Sequence, residues 1–162
     1  MRLTLDYLAN HREFIPQLAA WSYAEWRPVC DHLGLTFDDV LAGHTLRTNT
    51  DALPLGIVAT ADGRLVGGGA LKADDLPLRA HLTPWIGGIF VAPEQRCRGV
   101  ATAIIERLVE EARRLQLPRL YLWTNAAAGL YAKLGWEEIE RLEYCGYNIA
   151  VMVRQLAPVA KV

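Results

Sequence analysis

Residues 85–115 constrain the fold of this chain more than any other stretch. Trp85–Val91 (WIGGIFV) is an apolar run that stops short of Pro93, whose missing N–H bars it from a central ladder. A polar turn, Glu94-Gln95-Arg96-Cys97-Arg98-Gly99, leads into a strongly amphipathic segment from Val100 to Leu115. Ile104, Ile105, Leu108, Val109, Ala112 and Leu115 share one helical face, while Glu106, Arg107, Glu110, Glu111, Arg113 and Arg114 take the other. Pro118 ends the helix, and Arg119–Thr124 (RLYLWT) reads as a second strand. Strand, helix and parallel strand form a right-handed crossover. The first turn of such a helix has unpaired backbone N–H groups and the positive end of the helix dipole. With two arginines beside it and Gly99 allowing close backbone approach, the turn is an anion site suited to phosphates.

The rest of the chain supplies a mixed sheet around this unit. Leu3-Thr4-Leu5 and Tyr7 alternate at period two and predict a first strand. Apolar residues between Arg12 and Arg27 fall on one helical stripe, and Pro28 is expected to stop it. Thr36 caps a second helix predicted to run to about Thr45. Leu55–Ala59 and Arg64–Leu71 are strands joined by Asp62-Gly63, a hairpin signal. Gly67-Gly68-Gly69 in the second of them predicts a bulge or a close approach. Asp74–Thr83 reads as a loop, Ala126–Leu134 as a short helix, and Trp136–Tyr144 with Tyr147–Arg154 as a terminal hairpin. Glu110 and Arg114 have the spacing of a helical ion pair. Residues from about Ala157 are expected to fray.

Composition narrows the function by exclusion. A net charge of −1 argues against bulk nucleic-acid binding, which needs many Lys and Arg against phosphate. No apolar run approaches the roughly 20 residues that span a bilayer, and the N-terminus has no secretory pattern, so the expected location is cytoplasmic. Cys30, Cys97 and Cys145 are odd in number and scattered, which fits reduced thiols and offers no metal-ligand spacing. His11, His32, His44 and His81 are equally scattered. A nucleotide-binding P-loop is disfavoured, because GxxxxGK[ST] is absent and the glycine triplet lies inside a strand.

Two motifs, one crossover apart, carry a family resemblance. Val91-x-Pro93-x-x-Arg96-x-x-Gly99-x-Ala101 resembles the (Q/R)xxGx(G/A) acyl-CoA signature of the GNAT N-acetyltransferase superfamily. Thr124–Trp136 (TNAAAGLYAKLGW) is similar to that superfamily's second motif, which ends in Leu-Tyr-x-x-x-Gly-(Phe/Trp). The resemblance implies one α/β domain over residues 1–162, a mixed sheet of about 6–7 strands flanked by about four helices. The two strands of the crossover would splay apart at their C-terminal ends. It implies acetyl-CoA as cosubstrate, no metal, an amine acceptor that is either a small molecule or a peptide or protein, and possible homodimers.

By the same resemblance, the backbone of Ile89, Phe90 and Val91 would pair with the pantetheine arm. Backbone N–H groups of Arg96, Arg98, Gly99 and Ala101, in the turn that also holds Cys97 and Val100, would cradle the pyrophosphate, with the Thr102 hydroxyl in reach. Tyr131 matches the tyrosine that faces the thioester sulfur and is the expected acid. The sequence departs from the pattern at Thr124, where many members have Asn, while Asn125 stands one residue out of register.

Acetyl transfer to an amine needs a neutral amine, a polarised carbonyl and a stabilised thiolate. The strand Trp85–Val91 carries no carboxylate to serve as base, and Glu25, Asp74, His81 and Tyr121 are weak alternatives among which the sequence does not choose. Trp21 and Trp26 suit either the core or the wall of an acceptor pocket. The missing carboxylate also motivates a second reading, a CoA-sensing or inactive binding module.

Overall fold

The computed structural model describes residues 2–157. Its sheet has seven strands: β1 (Leu3–Tyr7), β2 (Leu55–Ala61), β3 (Arg64–Lys72), β4 (Trp85–Val91), β5 (Arg119–Thr124), β6 (Glu137–Tyr144) and β7 (Tyr147–Gln155). Their order is β1-β2-β3-β4-β5-β7-β6. The first four form an antiparallel meander, and β5, β7 and β6 form an antiparallel unit. The seam between the units is the parallel pair β4–β5, which shares only Trp85↔Tyr121. Beyond that pair the strands separate, so the β5-facing edge of β4 has no strand beside it.

Five α-helices cover the sheet among the described residues: α1 (Ile15–Glu25), α2 (Arg27–Leu33), α3 (Phe37–Leu46), α4 (Val100–Arg114) and α5 (Ala128–Lys133). On one face, Ile104, Ile105, Leu108, Val109 and Ala112 of α4 are fully buried in a core that includes Leu55, Ile57, Leu71, Leu120 and Leu122. On the other, Ile15 and Leu18 of α1 pack with Leu8 and Val58. The glycine triplet does both things expected of it. The β3–β4 register shifts between Gly68 and Ala70, and a Cβ on Gly69 would sit 2.5 Å from Ile89 Cδ1 and 3.0 Å from Ile104 Cγ2.

Three readings of the sequence need correction. Pro28 does not end the helical region; it sits in the first turn of α2, where its missing N–H has no bond to lose. Gly34, at φ +69°, then closes α2 in the left-handed conformation. Glu111 is not on the solvent face. It is 4% exposed and accepts from the Tyr7 hydroxyl and from Arg114 Nε at 3.0 Å, because β1 packs beside this helix. Arg114 therefore pairs with Glu111 and with Asp51 at 2.8 Å, and not with Glu110. The predicted cap of α3 forms as a reciprocal box: Asp39 N–H donates to Thr36 Oγ1 and Thr36 N–H to the Asp39 carboxylate. The expected fraying from Ala157 falls mostly on residues 158–162, outside the described residues.

Candidate active site

A cavity of about 1130 Å³ opens where β4 and β5 part. That exceeds what one drug-sized ligand fills, so it has room for a donor and an acceptor together. Its donor side is built from the crossover. Gly99 stands at φ +81° immediately before α4, and a Cβ there would meet nothing within 4 Å, so the backbone at the helix start lies open. The first bond into the helix is Ala103 N–H to Gly99 O at 3.0 Å, which leaves the N–H groups of Val100, Ala101 and Thr102 without a carbonyl partner among the described residues. Arg96 differs from expectation here. Its N–H is engaged by Pro93 O at 3.3 Å, and its side chain is held by Val91 O at 3.0 Å and lies over the Phe90 ring.

Ile89, Phe90, Val91, Arg96, Cys97, Gly99, Val100, Ala101 and Thr102 all reach the cavity wall. Arg98 is exposed and stands outside it. Across the gap are Thr124, Asn125 and Tyr131. Thr124 is committed to the turn: its Oγ1 accepts from Ala127 N–H at 3.0 Å and from Ala126 N–H at 3.4 Å. Tyr131 is 8% exposed, edge-on to Trp136, and its hydroxyl has no partner among the described residues. Burial pushes its phenol up to about 12, so it is protonated at neutral pH and can donate.

The opposite side of the cavity is walled by α1, α2, α3 and the β3–β4 connection. Trp21 is half-buried, stacking on Phe90 at 5.1 Å and packing against the α1 core, whereas Trp26 lines the cavity. Of the weak base candidates, Glu25 and Asp74 reach the wall; His81 and Tyr121 do not, Tyr121 packing on Trp85. Asp75 takes the place beside β4 that no strand residue fills. Its carboxylate packs over Gly87, where a Cβ would lie 2.7 Å from Oδ2, and Lys72 Nζ bonds Oδ1 at 2.5 Å. His44, Arg47, Lys72 and Tyr144 share this wall. None of these residues has a spacing that reveals it in the sequence. The readable signal was Gly87-Gly88, two bare positions in an apolar strand, which mark a place where something approaches the backbone.

Residues 9–136 match the Acetyltransferase (GNAT) family, most of the chain. The chain belongs to the GNAT acetyltransferase family. Acetyl-CoA is the donor that goes with that family, and the splayed sheet is its fold. An aminoglycoside 6′-N-acetyltransferase complexed with coenzyme A has 13% identity and a TM-score of 0.73, covering 99% of this chain and 100% of its own. A protein of Salmonella typhimurium with its cofactor acetyl-CoA gives 16% identity and a TM-score of 0.68 over 98% of this chain and 96% of its own. N-acetylglutamate synthase from Neisseria gonorrhoeae, complexed with coenzyme A and N-acetyl-glutamate, gives 18% and 0.66 over 97% of this chain and 36% of its own. At these identities the likeness is one of fold. No curated protein sequence matches the chain. Among the described residues no three His, Cys, Asp or Glu side chains cluster to hold a metal ion, and no helix is long and apolar enough to cross a membrane.

Proposed function

We propose that this GNAT acetyltransferase moves the acetyl group of acetyl-CoA to a primary amine, both bound in the one cavity. The observation that carries the reading is the convergence on that cavity of open N–H groups at the start of α4, an unpaired β4 edge and the Tyr131 hydroxyl. The N–H groups of Gly99, Val100, Ala101 and Thr102 would hold the pyrophosphate, and the backbone of Ile89–Val91 the pantetheine arm. When bound, the thioester supplies an activated carbonyl. A backbone N–H near Val91 would meet the carbonyl oxygen as charge gathers there.

The amine nitrogen forms its bond to the acetyl carbon as the carbon–sulfur bond breaks. Tyr131, the acid of the reading, meets the departing sulfur. With the phenol at about 12 and a thiol parent at about 8.5, its contribution is a hydrogen bond that strengthens as the thiolate forms. Asp75 Oδ2 receives the proton shed by the nitrogen, and water returns it to the thiol. A carboxylate beside β4 supports the enzyme reading over the inactive module.

Tyr131→Phe is expected to lower kcat by about 100-fold, the scale of one hydrogen-bond donor placed against developing charge. Acetyl-CoA affinity should stay within a few-fold. Undiminished turnover in the variant would exclude Tyr131 as the acid, and acetyl-CoA binding with no turnover of any amine by the unsubstituted protein would restore the binding-module reading.

A further inference from the structure

Two adjacent glycines of β4 hold a carboxylate and a guanidinium side by side. Gly88 is at φ +63°, next to the β3–β4 register shift, so the usual alternation of faces is broken there. A Cβ on Gly87 would lie 2.7 Å from Asp75 Oδ2, and one on Gly88 would lie 3.0 Å from Arg47 Nη1. The two side chains come from different segments, Arg47 from the end of α3 and Asp75 from the β3–β4 connection, and both line the cavity.

Their bonding is incomplete in a complementary way. Arg47 has no carboxylate within 4 Å among the described residues; its one side-chain partner is His44 Nε2 at 3.3 Å. His44 Nδ1 faces the Val40 carbonyl at 3.0 Å and must donate to it, so Nε2 carries the lone pair that receives Arg47. Asp75 Oδ1 is taken by Lys72, whereas Oδ2 has no partner. The Tyr144 hydroxyl, in a residue 4% exposed on the same wall, is also unpartnered. With Lys72 taken by Asp75 Oδ1, the Arg47 guanidinium is left without a carboxylate of its own among the described residues. A half-buried guanidinium without an anion is unfavourable, and an incoming carboxylate offsets that.

Resting on the acetyl-transfer reading, we infer that the acceptor is an α-amino acid with a free carboxylate and an apolar side chain. The carboxylate seats on Arg47, and the amine lies at Asp75 Oδ2. Arg47 and Asp75 face adjacent positions of one strand, an arrangement that suits an amine and a carboxylate carried on one carbon. The side chain has an apolar wall in Trp26, Val29 and Leu76, continued at the rim by Leu33, Leu35 and Leu46, the last 67% exposed. In the transfer, the nitrogen gains the acetyl carbon, the carbon–sulfur bond breaks, and the nitrogen's proton passes to Asp75.

The test compares acids with their carboxylate-free counterparts in acetyl-CoA-dependent release of free thiol. The probes are L-leucine, L-methionine and L-phenylalanine against their amides, isoamylamine and phenethylamine. The free acids should exceed the others by about 100-fold in kcat/KM, as for a charged hydrogen-bonded pair. In Arg47→Met that ratio should fall toward one, with Arg47→Lys recovering part of it. Melting curves establish that each variant is folded, and the comparison of acid with amide in the unsubstituted protein stands without them. Turnover of amines and amides as readily as acids overturns the amino-acid inference and leaves acetyl transfer standing. Acetyl-CoA binding without thiol release for any acceptor overturns both.

Discussion

His44 is 5% exposed, and burial, aided by the nearby Arg47 charge, holds its imidazole down at about 4 against an ordinary 6.5. The folded state therefore refuses a proton that the unfolded chain accepts between those values. Stability contributed by the neutral ring is complete above pH 6.5 and is lost as pH falls toward 4, a total of about 3 kcal/mol and about 2 kcal/mol by pH 5. Urea unfolding at pH 7 and pH 5 should show a smaller difference for His44→Gln than for the unsubstituted protein. An identical difference would mean that the ring is not the titrating group. Arg47 feels the same burial, which lowers its guanidinium, while the Asp75 charge opposes the shift. Asp39 is the contrasting case, its carboxyl held low by the Thr36 backbone and hydroxyl at the start of α3.

At the scale of elements, the start of α4 shows how a backbone conformation becomes a binding surface. Gly99 is at φ +81°, and the space a Cβ would enter is empty. Gly99→Val should therefore lose roughly 1–3 kcal/mol to backbone strain and, separately, lose acetyl-CoA binding through the shielded N–H groups. Equilibrium dialysis separates these effects: a folded variant that binds as tightly as the unsubstituted protein would remove this turn as the phosphate site. The helix itself was legible because its apolar stripe runs unbroken over four turns. α2 was not, since Pro28 is equally compatible with stopping one helix and opening the next; the break depends on Trp26, at φ −107° and ψ 33°.

For the whole molecule, the splay between β4 and β5 leaves a seam that only Trp85↔Tyr121 closes. A ligand lying in that seam bridges the two halves of the sheet, so binding and stability are coupled. Acetyl-CoA at 100 times its Kd should add about 2.7 kcal/mol, or roughly 5–10 °C in Tm. No shift at millimolar ligand would contradict donor binding in the gap.

The crossover, the hairpins and the phosphate-turn chemistry were in the sequence because each is a local matter: helical period, turn residues, a glycine before a helix. Tyr131 stood out through the family motif it shares with Gly135 and Trp136. Arg47, His44, Lys72 and Asp75 did not. They lie in two stretches far apart in the chain, 44–47 and 72–75, and nothing in their own neighbourhoods distinguishes them from surface charges. Their meeting depends on how α3 and the β3–β4 connection pack over Gly87 and Gly88, and on a bulge that turns both bare positions to one side. Long-range packing decides which side chains meet in the wall built by α3 and the β3–β4 connection; short-range sequence is enough for the crossover, its turn and its helix.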